Sequence, residues 1–142
     1  MYTSKYQKIL VVLLSLSWGF VFLDRQAITY IMPMMVEEFG MNMAQVGSIT
    51  MWCSLAFAFS GIIFGVIADR TGYRKRLLIP FLILGAVFSG MTAISRTIFM
   101  LIIIRFLVGF FEGPVYPLQT TMMQLQTEPK RFAINVGYIR VI

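Results

Sequence analysis

The sequence predicts an all-α, polytopic transmembrane helical bundle, on the grounds of composition, the length of the apolar runs and the placement of charge. Of the 142 residues, 58% are hydrophobic and only 13% are charged, whereas a soluble domain carries about 25% charged residues. A soluble chain of this size needs more polar surface to cover its core. The net charge of +6 could indicate a nucleic-acid partner. We reject that interpretation, because the basic residues lie in short clusters between apolar runs.

Four segments are long enough to cross a bilayer, which takes about 20 mostly apolar residues. Two of them contain charge, since Asp24 and Arg25 interrupt the first and Arg105 and Glu112 interrupt the fourth. We predict that the spans lie at about 9–36, 44–68, 77–95 and 97–123, with a fifth that begins at residue 132. Residues 132–142 would rise about 16 Å, roughly half a bilayer core. We therefore interpret the chain, 1–142, as the N-terminal transmembrane part of a longer protein.

The loops alternate in positive charge, which predicts their orientation. The N-terminal segment and the first four loops carry 2, 0, 4, 1 and 2 basic residues in turn. Cytoplasmic loops are enriched in Lys and Arg. We therefore expect a multi-pass protein of the cell membrane whose N-terminus, second loop and fourth loop are cytoplasmic.

The residues needed for enzyme chemistry are scarce. The sequence has no His, which removes the usual general base and the commonest metal ligand. The lone Cys53 can form neither an internal disulfide nor a Cys-rich metal site. A membrane-embedded hydrolase would have to use a Ser–Lys or carboxylate scheme. We therefore expect neither an enzyme nor a bound cofactor or metal.

Charged residues inside spans are expensive and indicate a functional site. At helical rise, Arg25 lies about 16 Å and Arg105 about 12 Å from the outer ends of their spans. The two guanidinium groups are therefore expected at similar depth on different helices. Two Arg side chains that face one cavity would bind an anion, most naturally a carboxylate held by two hydrogen bonds.

The fourth span carries a polar stripe, because its polar and small residues recur at intervals of 4, 3, 4 and 3, which places them on one helix face. These residues are Arg105, Gly109, Glu112, Tyr116 and Gln119. Such a stripe should face protein or water rather than lipid. A carboxylate in apolar surroundings binds and releases protons unless a cation pairs with it. Asp24 and Glu112 are therefore candidates for proton coupling.

A structural alternative is that these charges only neutralise each other, Asp24 with Arg105 or Glu112 with Arg25. We favour the functional interpretation, because replacing a buried ion pair with apolar residues is often neutral or stabilising.

The second loop carries the most specific motif, GVIADRTGYRKR at 65–76. It resembles the signature loop of the major facilitator superfamily, roughly G-x-x-x-D-R-x-G-R-[KR]-[KR], and only Tyr73 departs, where a basic residue is usual. The matching residues are Gly65, Asp69, Arg70, Gly72, Arg74 and Lys75. The resemblance implies a conformational switch in which Gly65 allows close helix approach. It also implies that Asp69 faces the positive N-terminus of a helix in the other half of the protein.

Within that superfamily, the spans resemble the anion:cation symporter group. The first span has Asp24-Arg25, and the fourth fits R-x-x-x-G-x-x-E-[GA]-x-x-x-P at 105–117. The resemblance covers the whole chain but only about the first third of a twelve-span member. It implies Arg25 and Arg105 as substrate ligands and Asp24 and Glu112 as proton carriers.

Two aromatic residues complete the candidate substrate site. Span two of the symporter group often contributes a Tyr or His, and Phe57 lies near that position here. Trp52 and Ser54 are possible substitutes, although Trp52 could equally be an interface anchor. Tyr116 is included because it lies on the polar stripe.

The sequence thus predicts the N-terminal part of a major facilitator superfamily fold, a secondary transporter that couples the entry of a small organic anion to protons by alternating access. The anion would be a sugar acid or another carboxylate, and the partners would be protons, membrane lipid and the C-terminal half of the transporter. An exporter or exchanger of the same fold remains an alternative. A small four-span assembly protein without transport activity is another.

Overall fold

The described part of the chain is built from helices. The computed structural model describes residues 4–126 and residue 137. Its elements are α1 (Ser4–Phe39), α2 (Met43–Thr71), α3 (Arg74–Met91), a short 3-10 turn (Thr92–Ile94), α4 (Ile98–Glu112) and α5 (Val115–Gln126). The all-α prediction is confirmed. The predicted start of a fifth span at residue 132 lies outside the described residues.

Four helical segments of this part are long and apolar enough to cross a membrane. They are Lys8–Phe39, Met43–Thr71, Arg74–Ile94 and Ile98–Leu125. Large apolar side chains such as Phe20, Phe59 and Phe99 are exposed on the outside of the bundle. A soluble protein rarely exposes so much apolar surface, whereas lipid accommodates it. The protein is therefore a multi-pass membrane protein.

Local capping explains where the helices begin and end. Asn42 and Gln45 form a reciprocal capping box before α2, in which Gln45 N donates to Asn42 Oδ1 at 2.9 Å. Gly72 ends α2 in the left-handed region, with φ at 71°, where glycine avoids the cost of a Cβ. Thr97 Oγ1 accepts a hydrogen bond from Met100 N and caps α4. The connections between neighbouring helices are consequently short.

The fourth membrane segment is broken in its middle. The sequence predicts one span over 97–123, and in the structure α4 ends at Glu112 and α5 begins at Val115. Pro114 lies in the break, because its ring blocks the regular helical hydrogen bond and clashes with the preceding turn. Pro117 is tolerated inside α5 because it lies in the first turn, where backbone N–H groups lack helical partners.

Glycines bring α2 and α4 into direct backbone contact. A Cβ on Gly109 would meet the carbonyl oxygen of Cys53, and one on Gly113 would meet that of Phe57. On α2, a Cβ on Gly61 would lie 3.1 Å from the carbonyl oxygen of Gly113. Small residues at such spacing let membrane helices approach closely. α2 and α4 therefore form the tightest helix pair of the bundle.

α1 lies further from α2 and α4 than these two helices lie from each other. Among the described helices, it makes its most numerous close backbone contacts with α5. Near that end of the bundle, Leu14 and Val21 pack with Leu118 and Met122 in an apolar cluster. Towards the α1–α2 loop, a large cavity separates α1 from α2 and α4.

Candidate anion site

The large cavity has a volume of about 950 Å³, at the upper end of the range for small-molecule sites. It is lined by α1, α2 and α4, and its walls towards the α1–α2 loop include Met32, Val36 and Val46. The four charged side chains that interrupt the predicted spans all line it: Asp24, Arg25, Arg105 and Glu112. An otherwise largely apolar cavity with a few convergent charged groups is typical of a ligand site.

The first ion pair of the cavity joins α1 to α4. Arg105 Nη1 donates to Asp24 Oδ2 at 3.1 Å; the Arg105 side chain is buried, with 7% of its surface exposed, and the Asp24 side chain is mostly buried, with 17% exposed. Ser89 of α3 donates its hydroxyl hydrogen to the other oxygen of Asp24, Oδ1. The Asp24 carboxylate is therefore held from two helices, one donor at each oxygen.

The second ion pair is looser. Arg25 Nε lies 3.6 Å from Glu112 Oε2, with 44% of the Arg25 side chain and 6% of the Glu112 side chain exposed. This distance is too long for a hydrogen bond. The guanidinium of Arg25 also lies over the ring of Phe57 on α2, 3.9 Å from its centroid. Arg25 is therefore supported by an aromatic face on one side and by a distant carboxylate on the other.

The pairing matches the structural alternative, because the four formal charges cancel two by two. The pairing is incomplete, however. Arg105 Nε and Glu112 Oε2 are buried without a hydrogen-bond partner among the described residues, and such orphaned atoms are uncommon in folded proteins. Among the same residues, no group of three His, Cys, Asp or Glu side chains could hold a metal ion. The cavity thus retains one buried donor and one buried acceptor without a hydrogen-bond partner among the described residues.

The two aromatic candidates do not line the cavity. Trp52 lies on α2 with its ring against the edge of Phe106, at a centroid distance of 6.5 Å. Tyr116 lies beyond the break at Pro114 and packs against the ring of Trp18, 5.5 Å away. Trp18 itself lines the cavity. The structure thus brings the two Arg side chains to the cavity, but neither Trp52 nor Tyr116.

The polar stripe of the fourth span divides at the same break. Above it, Arg105 and Glu112 face the cavity. Below it, Gln119 donates its side-chain N–H to Ser17 Oγ of α1 at 2.6 Å. This lower hydrogen bond joins α5 to α1 outside the cavity.

The α2–α3 loop is closed by its own charges. Arg74 Nη2 donates to Asp69 Oδ1 at 2.9 Å across the turn that Gly72 makes. Arg76 lies over the ring of Tyr73, so the residue that departs from the signature provides an aromatic face. Arg70 is exposed, and on α2 Gly65 packs against Pro117 of α5. The contact of Asp69 with another half of the protein stays a prediction.

Sequence reasoning missed two side chains on α3 and undervalued one on α2. Ser89 binds Asp24, and Gly85 lies against the side chain of Glu112. Their spacing of four places both on one face of α3, which was the available signal. Phe57 contacts Arg25 through its ring face, and such a contact requires neither the hydroxyl of a Tyr nor the imidazole of a His.

The fold defines a multi-pass membrane protein with a charged cavity between its helices. The sequence model of the Major Facilitator Superfamily matches residues 14–142, and the chain belongs to this family. The resemblance that the second loop indicated is thereby confirmed.

The chain is similar to several proteins that are named as transporters, among them the following three. It is 28% identical to the hexuronate transporter of Bacillus subtilis (strain 168) over 116 residues, 82% of this chain and 27% of the relative. It is 31% identical to the 4-hydroxybenzoate transporter PcaK of Pseudomonas aeruginosa over 109 residues, which are 77% of this chain and 24% of the relative. It is 27% identical to the niacin transporter NiaP of Acinetobacter baylyi over 119 residues, which are 84% of this chain and 27% of the relative. The chain spans about a quarter of the length of these relatives. No solved structure gives a significant match.

Proposed function

We propose that this chain is the N-terminal part of a transporter that moves a small organic carboxylate together with protons across the cell membrane by alternating access. The observation that carries the proposal is the clustering of two Arg and two carboxylate side chains on one cavity. The two positive and two negative charges cancel in the absence of substrate, which lowers the free-energy cost of placing these side chains within the membrane. The names of the relatives, which denote carriers of hexuronate, 4-hydroxybenzoate and niacin, support a carboxylate.

In the proposed cycle, the substrate anion competes with Glu112 for Arg25. The pair is long and its Arg25 side chain is half exposed, so the anion can approach the guanidinium from the cavity and replace the carboxylate. The buried Glu112 would then carry an uncompensated charge, which is costly in apolar surroundings. Uptake of one proton by Glu112 removes that cost. One monovalent anion and one proton together leave the net charge of the site unchanged.

Arg105 is the second proposed ligand. Asp24 occupies Nη1 of its guanidinium, and the buried Nε has no partner among the described residues. A substrate carboxylate that reaches this nitrogen would satisfy it while Asp24 stays in place. Protonation of Asp24 would free the rest of the guanidinium, so Asp24 is the second proposed proton carrier.

Transport by the full-length protein tests the proposal. Purified protein in proteoliposomes is offered labelled glucuronate, 4-hydroxybenzoate or nicotinate, with and without an imposed pH gradient that is acid on the side of entry. We expect at least one anion to accumulate above its external concentration. A protonophore should abolish the accumulation.

Matched variants separate the site from general damage. Arg25→Gln and Arg105→Gln should lose uptake, whereas Arg96→Gln, which removes an exposed Arg outside the cavity, should keep it. Equal uptake by Arg25→Gln, Arg105→Gln and the wild type would place the anion site elsewhere. Accumulation that ignores the pH gradient and needs a counter-anion inside would favour an exchanger.

The proposed orientation places the N-terminus and the α2–α3 loop in the cytoplasm. It is tested in full-length protein that carries Cys53→Ser and no other native cysteine, with either Glu38→Cys or Arg74→Cys added. A membrane-impermeant maleimide should label position 38 in intact cells and position 74 only after permeabilisation. The reverse pattern would invert the orientation.

A further inference from the structure

We propose that Ser89 is a positioning residue of the anion site, which holds Asp24 on Arg105 so that Arg105 meets the substrate in a fixed orientation. The inference rests on the proposed function and extends it to α3, a helix without a charged residue in its membrane-spanning core. In the first structural step, Ser89 donates to Asp24 Oδ1 while Arg105 donates to Oδ2. Donors on two helices therefore fix both the position and the plane of the carboxylate.

The fixed carboxylate in turn fixes the guanidinium. Asp24 binds Nη1 of Arg105, and the buried Nε remains without a partner among the described residues. Because Arg105 lines the large cavity, a restrained guanidinium can offer this free donor to an anion without first being ordered. Restraint of a ligand-binding side chain before binding improves affinity by reducing that ordering cost.

The surroundings of Asp24 on the α3 side are otherwise apolar. A smaller cavity of about 360 Å³ lies between α1 and α3, and both Asp24 and Glu112 line it as well as the large one. The α3 residues that line it are Phe81, Leu82, Gly85, Ala86 and Ser89. Ser89 is the polar member of this set. The loss of its hydroxyl would therefore leave Asp24 Oδ1 facing apolar groups.

The same face of α3 also makes room for the other carboxylate. Gly85 lies one turn before Ser89, and a Cβ built on it would be 3.6 Å from Glu112 Cγ. α3 thus contacts both carboxylates, through a small residue at Glu112 and a hydroxyl at Asp24. Only the second contact is a hydrogen bond, so the positioning effect is assigned to Ser89.

The experiment measures KM and kcat for exchange of the best-transported anion among glucuronate, 4-hydroxybenzoate and nicotinate, in proteoliposomes of the full-length protein. Ser89→Ala should raise KM about 3- to 10-fold, the effect of losing one hydrogen bond of typical net strength, and change kcat by less than about twofold. Ser89→Thr keeps the hydroxyl and should restore the KM. The control is Ser15→Ala, a buried serine of α1 whose hydroxyl donates to Val11 O within its own helix.

The split between KM and kcat distinguishes positioning from a folding defect. A purely structural role would reduce the number of active transporters, and so the maximal rate, at unchanged KM. A wild-type KM in Ser89→Ala would therefore overturn the inference. An equal rise of KM in Ser15→Ala would overturn it as well. Absence of uptake of all three anions by the wild-type protein would instead overturn the proposed function, and this inference with it.

Discussion

The two Arg–carboxylate pairs of the cavity have the same composition but different restraint. Arg105 is buried and Asp24 is mostly buried, the two lie within hydrogen-bond distance, and Asp24 accepts a second hydrogen bond from Ser89 on α3. Arg25 and Glu112 are separated by 3.6 Å, and Arg25 is half exposed above an aromatic ring. Under the proposed function, the difference predicts a division of labour, in which the tight pair organises the site and the loose pair opens when the anion binds.

The energies of ion pairs support this division. An exposed pair contributes about 0–1 kcal/mol, whereas removal of one partner from a buried pair costs about 3–5 kcal/mol. Arg25 is partly exposed, but Glu112 is buried, so under the proposed cycle an anion takes Arg25 from Glu112 at small cost only when Glu112 takes up a proton. Taking Arg105 from Asp24 would leave a buried charge with only the hydroxyl of Ser89, so that pair is expected to persist until Asp24 is protonated.

The largest effect is expected for Arg105→Gln in the full-length protein. It should abolish carboxylate binding and also lower the free energy of unfolding by about 3–5 kcal/mol, because Asp24 is left buried without its cation. Thermal unfolding in detergent and equilibrium binding of the transported anion measure the two effects. The double variant Arg105→Gln/Asp24→Asn should regain stability but not binding. A single variant as stable as Arg96→Gln would contradict the assignment of a tight pair.

Arg25→Gln should abolish binding with a much smaller effect on stability. We expect a cost of about 1 kcal/mol or less, because the pair is long and Arg25 is half exposed, and because a proton on Glu112 would remove the charge left buried. Arg25→Lys should also bind poorly, since an ammonium group cannot reproduce the two parallel hydrogen bonds of a guanidinium. The same unfolding and binding assays apply. If Arg25→Gln destabilised the protein as much as Arg105→Gln does, the two pairs would be equivalent and the comparison would fail.

The carboxylates should differ in coupling. Glu112→Gln removes the group that we propose takes up a proton when the anion replaces it, so accumulation driven by a pH gradient should be lost while anion exchange persists. Asp24→Asn should retain part of the accumulation and raise KM, because it mainly disturbs Arg105. Proteoliposome uptake with and without the gradient separates these outcomes, and Glu38→Gln outside the cavity is the control. Full accumulation by Glu112→Gln and Asp24→Asn, singly and together, would leave both carboxylates a structural role.

The sequence identifies the four apolar helical segments and the four charged residues that line the cavity. It can do so because the length of an apolar run and a charge within it are local properties. The depth of Arg25 and Arg105 follows from helical rise alone, and the structure places both on one cavity. The pairing could not be chosen in advance. Asp24 and Arg25 are neighbours on α1 that point in different directions, and only the packed position of α1 determines which partner each one meets.

The aromatic and hydroxyl partners were harder to predict. Ser89 lies 65 residues from Asp24 in the chain, and a serine in an apolar span gives no sign of its partner. Residue type and helix position are the only properties that indicate Trp52 and Tyr116 in the sequence. A change of about 100° per residue on a helix decides whether a side chain meets the cavity, as Cys53 does, or a neighbouring ring, as Trp52 does.

The smallest effect is expected where Phe57 supports the loose pair. A guanidinium over an aromatic face gains about 0.5–1 kcal/mol at an exposed site, so Phe57→Leu should raise the KM of the transported anion about 2- to 5-fold by releasing Arg25 from its ring. Phe57→Tyr keeps the ring face and should retain the wild-type KM. Phe59→Leu is the matched control, because that ring lies on the same helix and is exposed on the outside of the bundle.

Exchange kinetics in proteoliposomes measure all three variants, and the free energy of unfolding is measured in parallel. Unfolding should change little in Phe57→Leu relative to Phe59→Leu, because Leu retains most of the apolar contact that a half-buried ring makes. An unchanged KM in Phe57→Leu would mean that Arg25 reaches the anion without help from α2. An equal rise in Phe59→Leu would attribute the effect to loss of ring volume rather than to the contact with Arg25.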